Sequence, residues 1–214
     1  MKRFLLATLA TLPAGLAAQN LTPPAFLPGT PLVGPAAGMQ RRPAMAAGAA
    51  SSLLVFEDNR AGDVDLFALR LDAGGAPLDA VPFPISKGPG DQTRPLVSWN
   101  GSSWLVVFTN QVDPGSGYFA SQVAGVRVSA AGAVLDANPI GLMLDDSGEA
   151  HALTTDGSNW AVAFTGFSAG NSDIAVKRIS PTGVVLDPAP VLVTLGSFSL
   201  MSALQLAFIG GHYF

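Results

Sequence analysis

Trp104-Leu105-Val106-Val107-Phe108 is the stretch on which the reading of this chain turns. Asn100-Gly101 precedes it and the polar Thr109-Asn110-Gln111 follows it. A β-branched and aromatic run bounded by turn residues reads as a strand, and Asn-Gly between two apolar runs is a hairpin signal. A type I′ turn, with positive φ at both central residues, is the expected geometry. The unit returns as Trp160-Ala161-Val162-Ala163-Phe164 after Asp156-Gly157, and without its tryptophan as Leu53-Leu54-Val55-Phe56. With the phenylalanine as marker, the copies lie 52 and 56 residues apart. A period near fifty, carried by β-type residues, is the mark of a β-repeat array.

Each repeat divides into four short strands. The first reads Pro43–Ala49, Leu53–Phe56, Asp65–Asp72 and Pro77–Ile85. The second reads Arg94–Trp99, Trp104–Phe108, Ala124–Ser129, and then Val134–Asp136 with Pro139–Leu142. The third reads His151–Thr155, Trp160–Phe164, Asp173–Ser180 and Val184–Val193. The third strands carry Arg70-Leu71-Asp72, Arg127-Val128-Ser129 and Arg178-Ile179-Ser180 at matching offsets. Beyond each stands a glycine turn ending in an aspartate: Gly75 to Asp79, Gly132 to Asp136, Gly183 to Asp187. A fourth copy begins with Ser202–Ile209, turns at Gly210-Gly211 and places Tyr213 where Trp160 stood. Apolar residues nowhere recur at helical spacing over a long stretch outside residues 1–18, so helix content is expected to be very low.

The fold class expected is all-β: an incomplete β-propeller of about three four-stranded antiparallel blades plus the start of a fourth. The blades run over about 43–88, 91–144 and 149–195, with a partial copy at 197–214. A two-sheet sandwich does not explain the period. Propellers close with four to eight blades, so the chain reads as the N-terminal part of a longer protein.

The strands Leu54–Arg60 and Asp173–Ser180, with Gly183–Pro188, resemble β-propeller repeats of large secreted or surface bacterial proteins. The resemblance covers about residues 43 to 214. It implies four-stranded blades in a ring and says little about activity.

Composition narrows the function classes. The formal charge is −4 with only 12% charged residues and no basic patch, which speaks against nucleic acid and anionic membrane surfaces as partners. Cysteine is absent, which excludes disulfides, thiol catalysis and zinc–thiolate sites. Residues 1–18 read as a signal peptide: Lys2-Arg3, an apolar core from Phe4 to Leu12, and small residues at Gly15-Leu16-Ala17-Ala18. That core is too short to span a bilayer, so no membrane insertion is expected and the address is secreted, extracellular or cell-surface. Residues 19–42 form a Pro/Gly-rich lead-in unsuited to an interior strand.

Few constellations suggest chemistry. Gly166-Phe167-Ser168-Ala169-Gly170 fits the G-x-S-x-G pattern, but a nucleophile elbow leads into a helix and this stretch leads into a strand. No catalytic residue is assigned. Ser98–Trp104 and Thr154–Trp160 are similar to the Asp-box of sialidase-type propellers, a folding element, with altered glycine spacing. Glu57, Asp58, Asp63 and Asp65 crowd four acids into nine positions. Calcium favours clustered oxygens, so Ca2+ is one reading, but the EF-type spacing is missing and a solvated hairpin loop is the preferred one. No metal ligand and no cofactor is assigned. Arg70, Arg127 and Arg178, with Asp79, Asp136 and Asp187, recur at one place per repeat and are read as scaffold. His151 is read as an isolated strand histidine.

Function is sought where the repeats differ. The second repeat has five extra residues within Gln111–Gln122, and there Asp113, Tyr118 and Phe119 are the candidate ligand-binding residues. Loops on a rigid scaffold concentrate binding residues, and aromatics suit sugars or protein partners. The expectation is a binding or scaffold module for a glycan or protein ligand. Its remaining blades come from the same chain or another subunit. An extracellular polysaccharide hydrolase is the alternative.

Overall fold

In the computed structural model, residues 38–112, 120–143, 148–168, 171–193 and 204–214 are described, all within a unit spanning Leu32–Phe214. The proposed signal peptide and most of the lead-in lie outside the described residues. Three consecutive four-stranded antiparallel sheets follow the three repeats. The first holds β1 (Gln40–Ala47), β2 (Ser52–Asp58), β3 (Asp65–Leu71) and β4 (Phe83–Ser86). The second holds β5 (Asp91–Trp99), β6 (Ser103–Val112), β7 (Ala120–Ser129) and β8 (Ile140–Met143). The third holds β9 (Gly148–Thr155), β10 (Trp160–Ser168), β11 (Asn171–Ile179) and β12 (Val191–Val193). A separate hairpin, β13 (Phe208–Ile209) with β14 (His212–Tyr213), begins the fourth copy. Among the described residues there is no helix, and the architecture is all-β, three four-stranded antiparallel sheets in series.

Alternation along the second strands makes the stack. Trp104, Val106 and Phe108 of β6 join Leu53, Val55, Leu66 and Ala68 of the first sheet in one core. Leu105 and Val107, pointing the other way, join Ala150, Trp160, Val162 and Phe164 of the third sheet in another. Both tryptophans are fully buried and donate Nε1–H to a first-strand carbonyl of the preceding sheet, Trp104 to Ala46 at 3.2 Å and Trp160 to Ser98 at 3.1 Å. The Trp104 ring lies so close to Gly48 that a Cβ there would come within 2.5 Å of it.

A second lock joins the outer strands. The backbone N–H of Arg70, Arg127 and Arg178 donates to Asp79, Asp136 and Asp187 at 2.8, 2.7 and 2.7 Å, and each guanidinium closes on the same carboxylate. From that clamp Arg70 Nη1 reaches Ala130 O at 3.3 Å and Arg127 Nη1 reaches Pro181 O at 2.8 Å, each in the next sheet. Gly132 and Gly183, at φ 85°, lie under these guanidiniums, where a Cβ would meet Nε at 2.8 Å. All three arginines therefore pair within their sheet, and Arg70 and Arg127 also bridge to the next one.

Several details depart from expectation. β1 starts at Gln40, so Gln40-Arg41-Arg42 belong to a strand rather than to the lead-in. The fourth strands are shorter than expected, because the chain first returns as an isolated bridge (Leu71 to Pro77, Val128 to Val134, Ile179 to Val185) and then bends to bring the aspartate back. The Asn-Gly and Asp-Gly turns carry positive φ at Gly101 and Gly157 only, not at both central residues. The Asn100 and Asp156 side chains organise these turns, each Oδ1 accepting N–H from the residues two and three further on. Among the described residues of the fourth copy, residues 204–207 stand outside the strand expected over Ser202–Ile209, which is Phe208–Ile209.

Candidate functional site

Each first strand carries one irregularity, in the same place. The ladder slips between Arg41 and Ala44 in β1, between Thr93 and Leu96 in β5, and opposite the Ala163–Phe164 step in β9. A bulge re-aims the side chains beside it. Here those residues are Arg42-Pro43, Arg94-Pro95 and His151, facing the C-terminal halves of β2, β6 and β10. Arg42 and Arg94 stand in left-handed backbone, at φ 48° and 56°. They are the two described non-glycine residues that do so, and for an L residue this conformation costs about 1–2 kcal/mol.

These bulges assemble a charged row across three sheets. Glu57 is fully buried and takes Arg41 Nε at 2.6 Å, Arg42 Nη1 at 3.3 Å and the backbone N–H of Arg94 at 2.8 Å. Arg94 Nη1 in turn pairs with Glu149 Oε1. His151 Nδ1 stands 4.0 Å from that same oxygen, and its Nε2 shares a hydrogen bond of 2.8 Å with Thr165 Oγ1. Burial, reinforced by the Arg94 charge, holds the His151 pKa below its ordinary value. Thr109 occupies in β6 the place Glu57 takes in β2, and its buried Oγ1 has no partner among the described residues.

Of the four acids expected in a solvated loop, Asp63 is exposed in the turn between β2 and β3, whereas the other three are buried. Asp58 is fully buried, held by Arg60 through its backbone N–H and guanidinium and by Gln40 Nε2 at 3.2 Å. The Arg60 side chain keeps the Asp58 carboxyl below its usual pKa. Asp65, paired with Asp58 across the ladder, is buried as well, and burial pushes its pKa up. Among the described residues no three acids or histidines gather in an arrangement able to hold a metal. Two of the four acids considered for Ca2+ instead have arginine partners.

The other sequence candidates are placed as follows. Asp113, Tyr118 and Phe119 lie outside the described residues, beyond a hairpin whose ladder ends at the Val112–Ala120 pair. The Gly166–Gly170 pattern sits where β10 passes into β11, with Ser168 paired to Asn171, so it joins two strands rather than a strand and a helix. His151, read as isolated, has Glu149, Arg94 and Thr165 around it. Sequence reasoning missed Arg41, Arg42, Arg94 and Glu149 altogether. The repeated Arg-Pro dipeptide at 42–43 and 94–95 was the available signal.

No protein-family model matches the chain, and no curated protein matches it. Among solved structures it is similar to an exo-1,5-α-L-arabinanase from a bovine ruminal metagenomic library, at 14% identity and TM-score 0.42. The match covers 72% of this chain and 57% of that one, so the chain spans little more than half of that protein's length.

Proposed function

We propose that the chain is a run of β-propeller blades from a secreted or cell-surface protein, acting as a binding and scaffold module for a glycan or protein ligand. The bulged N-terminal halves of the first strands are the binding face, with the Asp113–Phe119 loop as a further contact. The observation that carries the reading is the pair of left-handed arginines. The same strained conformation recurs at the same bulge in two sheets, and such strain gathers at ligand clamps. Hydrolysis is the weaker reading, because general acid and base work needs free carboxyl groups. Glu57, Asp58 and Glu149 are each bound to arginine.

The test is a screen of the mature protein against arrayed glycans and surface proteins, repeated with an Arg42→Gly/Arg94→Gly variant. A ligand retained by the wild type and lost by the variant is expected. Release of soluble sugars from a captured polysaccharide, or capture indifferent to the variant, would overturn the reading.

A further inference from the structure

Resting on the first-strand face as the binding face, we infer that its ligand is a glycan bearing carboxylates at regular intervals, a polyuronate, anchored through the outward edges of Arg41, Arg42 and Arg94. The protein is acidic overall, with a formal charge of −4. Along this row the order of charge is inverted. The three arginine side chains are 44%, 47% and 48% exposed, whereas Glu57 is 0% and Glu149 31% exposed. Solvent meets guanidinium first, with the carboxylates behind.

Arg41 gives Glu57 its Nε and Arg42 gives it Nη1, while Arg94 Nη1 meets Glu149. A guanidinium has five N–H donors in a planar fork, so donors remain for a second carboxylate, which the fork matches in bidentate geometry. Glycine would form the same bulge without the left-handed penalty. Two arginines there point to a role for the side chain beyond making the bulge. The third bulge carries His151, whose ring turns inward to Thr165. The cationic part of the row thus occupies two consecutive sheets, with one left-handed arginine in each. A polymer with a repeating carboxylate meets such a row at more than one point, while a single acidic side chain meets it once.

The experiment is calorimetric titration of the mature protein with polygalacturonate, with its fully methyl-esterified form, and with poly-L-glutamate. Polygalacturonate should bind, the ester at least tenfold more weakly, and poly-L-glutamate no more tightly than polygalacturonate. Arg42→Gly/Arg94→Gly should lose tenfold or more while its thermal unfolding stays cooperative. Arg94→Lys, which keeps the charge and loses the fork, should lose affinity as well. Equal binding of the ester, unchanged affinity in the double variant, or preference for poly-L-glutamate would overturn the inference. Failure of polygalacturonate alongside another ligand lost by the same variants would refute the polyuronate and leave the binding face standing. Absence of any ligand would refute both.

Discussion

At the scale of single residues, the charged row shows what a linear pattern conceals. Glu57 and Asp58 looked like hairpin-loop acids because nothing nearby in sequence neutralises both. The partners of Glu57 come from Arg41 and Arg42, some fifteen residues earlier, and from the backbone of Arg94 in the next repeat. His151 looked solitary for the same reason, since Thr165 reaches it only once β9 pairs with β10, and Arg94 only once the second and third sheets stack. Its lowered pKa has a consequence for stability. The unfolded chain takes up a proton near the ordinary histidine pKa of about 6.5, and the folded chain does so only at lower pH. The folded state is therefore favoured above about 6.5 and loses that advantage as pH falls below it. Urea midpoints measured between pH 7.5 and 5.5 should fall for the wild type and fall less for His151→Gln, whose amide can still bond Thr165. Parallel slopes would remove His151 as the source.

At the scale of elements, the two locks between sheets differ in how far they could be foreseen. The burial of both tryptophans was legible from the Trp-to-Phe strand repeat, because a continuously apolar strand is buried on both faces when sheets lie on either side; their bonds to the preceding sheet were not. Replacing Trp104 by Ala should cost about 3–5 kcal/mol in chemical denaturation, and a loss below about 1 kcal/mol would place it outside the core. The arginine lock was legible only in part. The recurrence of Arg70, Arg127 and Arg178 marked a scaffold position, but the Arg–Asp clamp needed the bend that returns the aspartate to the arginine N–H. Glycine substitutions separate the lock from the turn. Gly75→Ala and Gly132→Ala share the left-handed penalty, at φ 83° and 85°. A Cβ at Gly75 meets nothing within 4 Å, while one at Gly132 strikes the Arg70 guanidinium. Gly132→Ala should therefore destabilise by about 1 kcal/mol or more beyond Gly75→Ala. Equal losses would mean that Arg70 moves aside freely.

At the scale of the whole molecule, the period near fifty residues was enough to anticipate three four-stranded antiparallel sheets in series. The three sheets follow the repeats because turn glycines and marker phenylalanines are local signals. The proposed binding face was not anticipated, since it forms from bulges and from contacts between repeats, marked in sequence only by Arg-Pro at 42–43 and 94–95. The fourth copy follows the same interlocking rule in altered chemistry. Tyr213 OH donates to Asp156 Oδ2 at 3.0 Å in the place where a tryptophan would reach a carbonyl. Burial, with Asp156 beside it, pushes the Tyr213 pKa up to about 12, so this link persists through the neutral and mildly alkaline range.

The measurement that goes most directly to the central claim is amide hydrogen exchange of the protein with and without a captured ligand. Added protection is expected at 40–42, 92–94 and 149–151, one segment in each sheet. Protection confined to the glycine turns around 75, 132 and 183, with the first-strand bulges unchanged, would contradict it.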